Sequence, residues 1–528
     1  MDRRGVPGRG RPRRGSGDPD GRDTMRNVKS RWSMRHPYLI LSALIVLLAL
    51  VFSIRGPWSG DLGMHGATIE ALRRSLTHPG NPVVDEDTPS PYYSPYTVLL
   101  AAVARLFGWS ALTVLDVVSP INVLVLLIGL WTFVRTLSTR TWAPVLAIVF
   151  ILLLWGAQPW VWSGFLSFWA LPLVMAYPST IALGLTLLWW TGLSRALDAE
   201  PRWYRYLGLG LLGAVIALTH QFTFVIAALG AVALVVSKAR GLSRLGWLFL
   251  ILAVIEVAGL ILIWPYYSFF DLIGVSDLDG VHRRLYEKPF LWYGLCVVAL
   301  PALWLRARRN RLDPLVLLFG MSALLVAFGG LTGKYEYGRV WPGVMLSAQL
   351  AIAVELAGPL PASRRVRRAW IPATVLACAV GLVTQAGKLV YLAPSSLATA
   401  GARDGVNAYL KFPDYSWATR YVHAGDVVLT DDYFAQHVLP GYGVRMVLSV
   451  IWPDPMLPDR DARRVAQYEM MTAKDPARRA ALFRQYHVRW VLEMPANWRI
   501  PTDLAPVASG PNGEWLYGVD ENGNIVAG

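Results

Sequence analysis

Apolar residues fall in long runs along the first 390 positions, separated by short polar connectors. The runs lack the alternation of half-buried strands, and most approach the ~20 residues that a membrane-crossing helix needs. The connectors Arg135–Arg140, Arg195–Arg205, Lys238–Arg244, Arg306–Arg311 and Arg364–Arg368 are basic. Because Lys and Arg gather in cytoplasmic loops, all five are expected inside. Spans at about 37–54, 114–135, 141–156, 176–194, 206–220, 222–238, 245–265, 289–305, 313–331, 338–357 and 369–391 satisfy that constraint. The pattern thus predicts about eleven helices, with the N-terminus cytoplasmic and the C-terminus outside. A twelfth span at Tyr92–Gly108 would invert every later connector. It is short and holds Pro95 and Arg105, so it reads as a helix on the outer surface.

The two ends differ from this middle. Residues 1–36 are rich in Arg, Gly and Pro and present no apolar face, the composition of a disordered basic cytoplasmic tail. No small-residue cleavage site follows Pro37–Ile54, so that run reads as an anchor. Beyond Tyr391 the chain becomes mixed polar. Val427–Thr430, Val444–Val450 and Val488–Glu493 have the apolar, β-branched character of short buried strands, and Arg460–Tyr486 that of an amphipathic helix. The chain therefore divides into the tail 1–36, a transmembrane domain 37–391 and an extracytoplasmic α/β domain 392–528. A multi-pass protein of the plasma membrane is the expected setting.

Composition agrees. Hydrophobic residues make up 54% and charged residues 16%, with a mean hydropathy of +0.40; soluble domains carry about 25% charged residues. The net charge of +15 sits in the tail and connectors. It therefore reports membrane sidedness, and nucleic acid is not an expected partner. The two cysteines, Cys296 and Cys378, lie inside apolar runs, with neither a disulfide framework nor zinc spacing.

Chemistry concentrates in the outer loop 55–113. Ser59–Tyr96 gathers Asp61, His65, Glu70, His78, Asp85, Glu86 and Asp87. After Asp61, residues Leu62, Ile69, Leu72 and Leu76 share one face of a helix, with Glu70, Arg73 and Arg74 off it, a pattern suited to lying in the membrane interface. Asp61 or Ser59 could cap that helix. A second outer loop, Thr332–Arg339, brings Lys334 and Arg339 to the end of the tenth span, where both would meet a lipid headgroup. His220 falls at the outer end of the fifth span. Asp277, Asp279, His282, Arg283 and Arg284 crowd the loop 266–288, Glu256 lies in mid-span, and Asp431 and Asp432 follow a strand. There is no P-loop, no G-x-S-x-G and no Gly-rich phosphate turn.

The layout of one N-terminal span, an outer loop opening on an Asp, surface helices, further spans and an exported domain resembles the GT-C superfamily of membrane glycosyltransferases. G-D-L-G-M-H-G at Gly60–Gly66, S-P-Y-Y-S-P-Y-T at Ser90–Thr97, L-T-H at Leu218–His220 and Y-E-Y-G-R-V-W-P at Tyr335–Pro342 carry the resemblance. It implies a sugar donor linked to a polyprenyl phosphate, and Asp61 as the catalytic base. Arg339, Lys334 and His220 are then the candidates for the donor phosphate. His65, Asp85, Glu86, Asp87, Tyr335, Glu336 and Tyr337 are candidates for the acceptor, which would be a glycan, a glycolipid or a protein. A monophosphate donor requires no cofactor, although Asp85, Glu86 and Asp87 offer the oxygen ligands of a hard divalent cation. The competing classes are a transporter or flippase for lipid-linked glycans and a ligase of whole glycans. The first usually shows two related halves, and no internal repeat is evident.

Overall fold

The computed structural model describes residues 36–55, 60–272, 279–359, 364–394, 397, 412–448, 454, 456–495, 498–500 and 502–526. The basic tail up to position 35 and Asp277 lie outside them. Among the described residues, eight helices are long and apolar enough to cross a membrane. They are His36–Arg55, Ala111–Leu137, Gln221–Gly241, Arg244–Leu262, Pro289–Arg309, Pro314–Thr332, Tyr335–Ala357 and Arg368–Leu392. The other three expected spans appear as Ala143–Leu153, Pro178–Leu197 and Trp203–Thr219. Ala143–Leu153 has 11 residues and so is about 17 Å long, against a hydrocarbon core of ~30 Å. Pro178–Leu197 reaches 20 residues but buries Ser179, Thr180, Thr186, Thr191 and Ser194 inside the bundle. It crosses Ala111–Leu137 closely at Gly129 and Gly184, where a Cβ on Gly129 would stand 2.5 Å from the Gly184 carbonyl oxygen. Small residues at such crossings let helix backbones approach in a membrane.

Pro95–Phe107 forms as a separate 13-residue helix with Pro95 in its first turn and a reciprocal Ser94–Thr97 capping box. At ~20 Å it is too short to span. The loop helix after Asp61, Leu62–Arg74, departs from the interfacial expectation: every residue from Gly63 to Leu72 is buried. Ile69 and Leu72 pack against Tyr93, Leu100 and Ala104, while Met64 and Ala67 enter a second core with Phe412, Tyr415, Val428 and Val438 of the C-terminal domain. Glu70, off the apolar face in sequence, accepts the Ala111 backbone N–H at 2.8 Å and pairs with Arg73 at 2.7 Å. Protein on both sides, and not lipid on one, covers this helix.

The C-terminal domain holds a mixed sheet: β1 Val427–Thr430, β2 Arg445–Met446, β3 Val488–Glu493, β4 Ala508–Ser509, β5 Trp515–Val519 and β6 Ile525–Val526. Its order is β2-β1-β3-β5-β4 with β6 on β5; β1 runs parallel to β2 and β3, and β5 antiparallel to β3. β1 and β3 have the expected bounds. β2 covers only two residues of the expected 444–450, of which 449 and 450 lie outside the described residues. The expected single helix over 460–486 is two, Arg460–Thr472 and Pro476–Gln485. Pro476 cannot continue a preceding helix, and the Asp475 side chain accepts the Ala477 N–H at 3.0 Å to start the second.

Candidate active site

The approach to Asp61 is a tight turn. Gly60 has φ +61°, and a Cβ there would sit 2.8 Å from the Tyr177 hydroxyl oxygen, so both sterics and handedness call for glycine. The Asp61 backbone N–H donates to that same oxygen at 2.7 Å. Although Asp61 occupies the N-cap position of Leu62–Arg74, its carboxylate makes no capping bond. Burial raises this carboxyl from 3.8 to about 6, partly opposed by the positive charge of Arg339. One turn on, the buried His65 ring lies 4.6 Å from Tyr177 and 5.8 Å from Tyr92. Burial holds its imidazole down at about 3, hence neutral, and among the described residues its Nδ1 has no hydrogen-bond partner. Tyr92, from the S-P-Y-Y-S-P-Y segment, stands in the field of both Asp61 and Arg339.

Arg339 lies on the helical turn Tyr335–Val340 and is buried. Its guanidinium is 4.4 Å from the Phe222 ring and 5.8 Å from Trp162. A guanidinium held over aromatic rings in this way loses freedom, which steadies its fork of donors. Phe222 and Trp162 also pack against His282, at 5.6 and 5.8 Å. Among the described residues no acidic side chain forms an ion pair with Arg339. His220, in the field of Arg339 and His65, caps the helix starting at Gln221: its Nδ1 accepts the Thr223 N–H at 3.1 Å. The neutral ring's proton therefore belongs on Nε2, which lies 3.2 Å from the Ser163 hydroxyl.

Asp61, His65, His220 and Arg339 thus share one electrostatic neighbourhood, although more than half of the chain's length separates Arg339 from Asp61. The other candidates lie elsewhere. Lys334 is exposed. Tyr335 packs on Tyr286 at 5.5 Å, Tyr337 on Phe328 at 5.5 Å, and the Glu336 N–H points to Asp279 Oδ1 at 3.4 Å. Asp85 pairs with Arg445 and with His487 at 2.8 Å, Glu86 pairs with Arg463, and Asp87 is exposed. The acidic run thereby fastens the loop that carries it to the C-terminal domain, beside a parallel bridge between Val84 and Met446. Its three carboxylates diverge, and among the described residues no three His, Cys, Asp or Glu side chains converge on a metal position. Asp432 caps Tyr433–Val438 through the Ala435 N–H at 2.8 Å, and Glu256 packs over Gly210. A cavity of about 240 Å³ opens beside Leu62, between Phe52–Ile54, Asp116 and Phe412–Asp414, and neither Asp61 nor Arg339 lines it. Sequence reasoning did not single out Tyr92, Trp162, Ser163, Tyr177 or Phe222 for the site. Nothing local tied the aromatic stretch that holds Trp162 and Ser163 to Arg339.

An apolar helix bundle with a charged cluster at one end, covered by a small C-terminal sheet domain, makes this a multi-pass membrane protein, and its fold is the GT-C fold. Two solved structures make the likeness concrete. ArnT from Cupriavidus metallidurans bound to undecaprenyl phosphate matches 91% of this chain and 97% of its own, with TM-score 0.52 and 14% identity. The arabinofuranosyltransferase AftD from Mycobacteria matches 87% of this chain with TM-score 0.50 and 16% identity. The match covers only 35% of AftD. At such identities the likeness is one of fold. No family model and no curated protein matches the chain.

Proposed function

We propose that the protein is an inverting glycosyltransferase that moves a sugar from a polyprenyl phosphate to a cell-envelope acceptor on the outer face of the membrane. The observation that carries this reading is the Asp61 carboxylate: it is free of any capping bond, raised to about 6 by burial, and set in the field of a stacked Arg339. A base titrating near the working pH is well matched to taking a hydroxyl proton, a contribution of about 10²–10⁴ in rate. The acceptor oxygen bonds to the anomeric carbon and its proton passes to Asp61. The bond from that carbon to the phosphate oxygen breaks, and its electron pair leaves with the phosphate. Arg339 receives the charge that develops there through fixed donors. His220 acts through Ser163, orienting its hydroxyl toward the same charge. ArnT, bound to undecaprenyl phosphate, supports a lipid-phosphate donor, and the basic connectors support an outward-facing site.

The test is Asp61→Asn in membranes supplied with radiolabelled polyprenyl-phosphate sugars. Wild type should release label from the lipid. The variant should insert at normal abundance and still bind the lipid, while transfer falls by about two orders of magnitude or more. Full turnover in the variant would remove Asp61 as base, and no release of label by wild type would sink the transferase reading.

A further inference from the structure

The helix Tyr433–Val438 of the exported domain lies against Leu62–Arg74, with Ala435 and Val438 in the same core as Met64 and Ala67. The contact continues to Gly441, whose Cα would be 2.8 Å from a Cβ on Gly66. At the start of this short helix Tyr433 is 55% exposed and Phe434 37%. Their exposure is ordered from behind. The Tyr433 ring centroid is 4.2 Å from buried His437, whose Nδ1 is 2.6 Å from the Tyr433 carbonyl oxygen. Phe434 meets Tyr433 and Phe412 edge-on, at 5.4 and 5.1 Å. The Tyr433 hydroxyl also stands in the field of Asp61 and of the exposed Arg284.

We propose that Tyr433, backed by His437 and flanked by Phe434, is a stacking platform on which the exported domain holds a carbohydrate acceptor beside Asp61. The proposal rests on the glycosyltransferase reading and names its acceptor class. A sugar ring shows an apolar face of C–H groups and a rim of hydroxyls. A fixed aromatic ring covers the face at little entropic cost, and the phenol tip adds a hydrogen bond. A carboxylate base nearby then selects one hydroxyl from the rim. A peptide acceptor would more naturally pair its backbone with a sheet edge, and the edge at β2 is already occupied by Val84, with the Met446 N–H donating to the Val83 carbonyl at 2.7 Å.

The test uses the full chain in lipid nanodiscs without donor, and measures saturation transfer from protein to neutral trisaccharides (mannotriose, maltotriose, arabinotriose) and to a Ser/Thr-containing hexapeptide. At least one trisaccharide should receive saturation at its ring C–H groups. Tyr433→Ala should weaken that binding about tenfold, and Tyr433→Phe should restore most of it. Transfer assays should show Tyr433→Ala raising the acceptor KM by a similar factor, with kcat and donor-lipid binding little changed. Three results would overturn the platform: no contact with any trisaccharide, contact that survives Tyr433→Ala intact, or Tyr433-dependent contact with the peptide alone. Sugar binding at Tyr433 in a protein that releases no sugar from polyprenyl phosphate would leave the platform standing and remove the transferase reading.

Discussion

At the scale of single residues, the site is a balance between burial and one opposing charge. Burial lifts the Asp61 carboxyl to about 6, and Arg339 pulls the other way. Only the carboxylate form accepts a proton, so transfer should fall as pH drops through about 6 and level off above it. In Arg339→Gln the opposing charge is gone, and the acid limb of the residual activity should move to higher pH. A limb that stays in place would show that another group sets it. Stability has the opposite sign. A carboxyl whose pKa is raised on folding binds its proton more tightly in the native state, so its contribution weakens as pH rises from 3.8 through about 6. Asp61→Asn should therefore be at least as stable as wild type at pH 7 in a thermal melt, while inactive. Loss of stability together with activity would mark Asp61 as a structural residue.

At the scale of elements, the helix Leu62–Arg74 does the connecting. Its first turn aims Asp61, its apolar side meets Pro95–Phe107, and Gly66 admits the backbone of Gly441. Gly66→Val would push side-chain atoms into that backbone, an overpacking that costs about 1–3 kcal/mol. The expected outcome is a lower melting temperature with faster proteolysis of the exported domain, while the transmembrane bundle stays intact. Equal proteolysis rates in variant and wild type would mean that this helix does not hold the domain. The acidic run contributes to the same attachment, since Asp85 and Glu86 reach Arg445, His487 and Arg463 across almost 400 positions of chain.

At the scale of the whole molecule, the bundle carries the site at one end and the C-terminal domain packs against the loop that holds Asp61. The positive-inside pattern predicts that cysteine labelling finds position 138, between the second and third expected spans, in the cytoplasm and position 512 outside. Both positions on one side would invalidate the assignment of the site to the outer face. Met64, Ala67 and Val83 belong to the same core as Phe412, Val428 and Leu492, so the C-terminal sheet and the loop after the first helix share one apolar core.

The periodicity and charge of the chain by themselves determined the membrane class, the apolar helices and the two central strands. Those features depend on local composition and on the contrast between lipid and water. The clustering of Asp61 with His220 and Arg339 was legible in part, because the charge pattern assigns each to the same end of its run. What only the tertiary structure decided was the use of polar residues whose partners are distant. Asp85 and Glu86 have the composition of a ligand site, yet cations on another domain neutralise them. Glu70 looks solvated and caps a spanning helix. Phe222, Trp162, Tyr177 and Tyr433 look like ordinary aromatics in apolar surroundings. Their roles depend on which helices cross and which domain packs above them, and no local pattern encodes contacts between residues hundreds of positions apart.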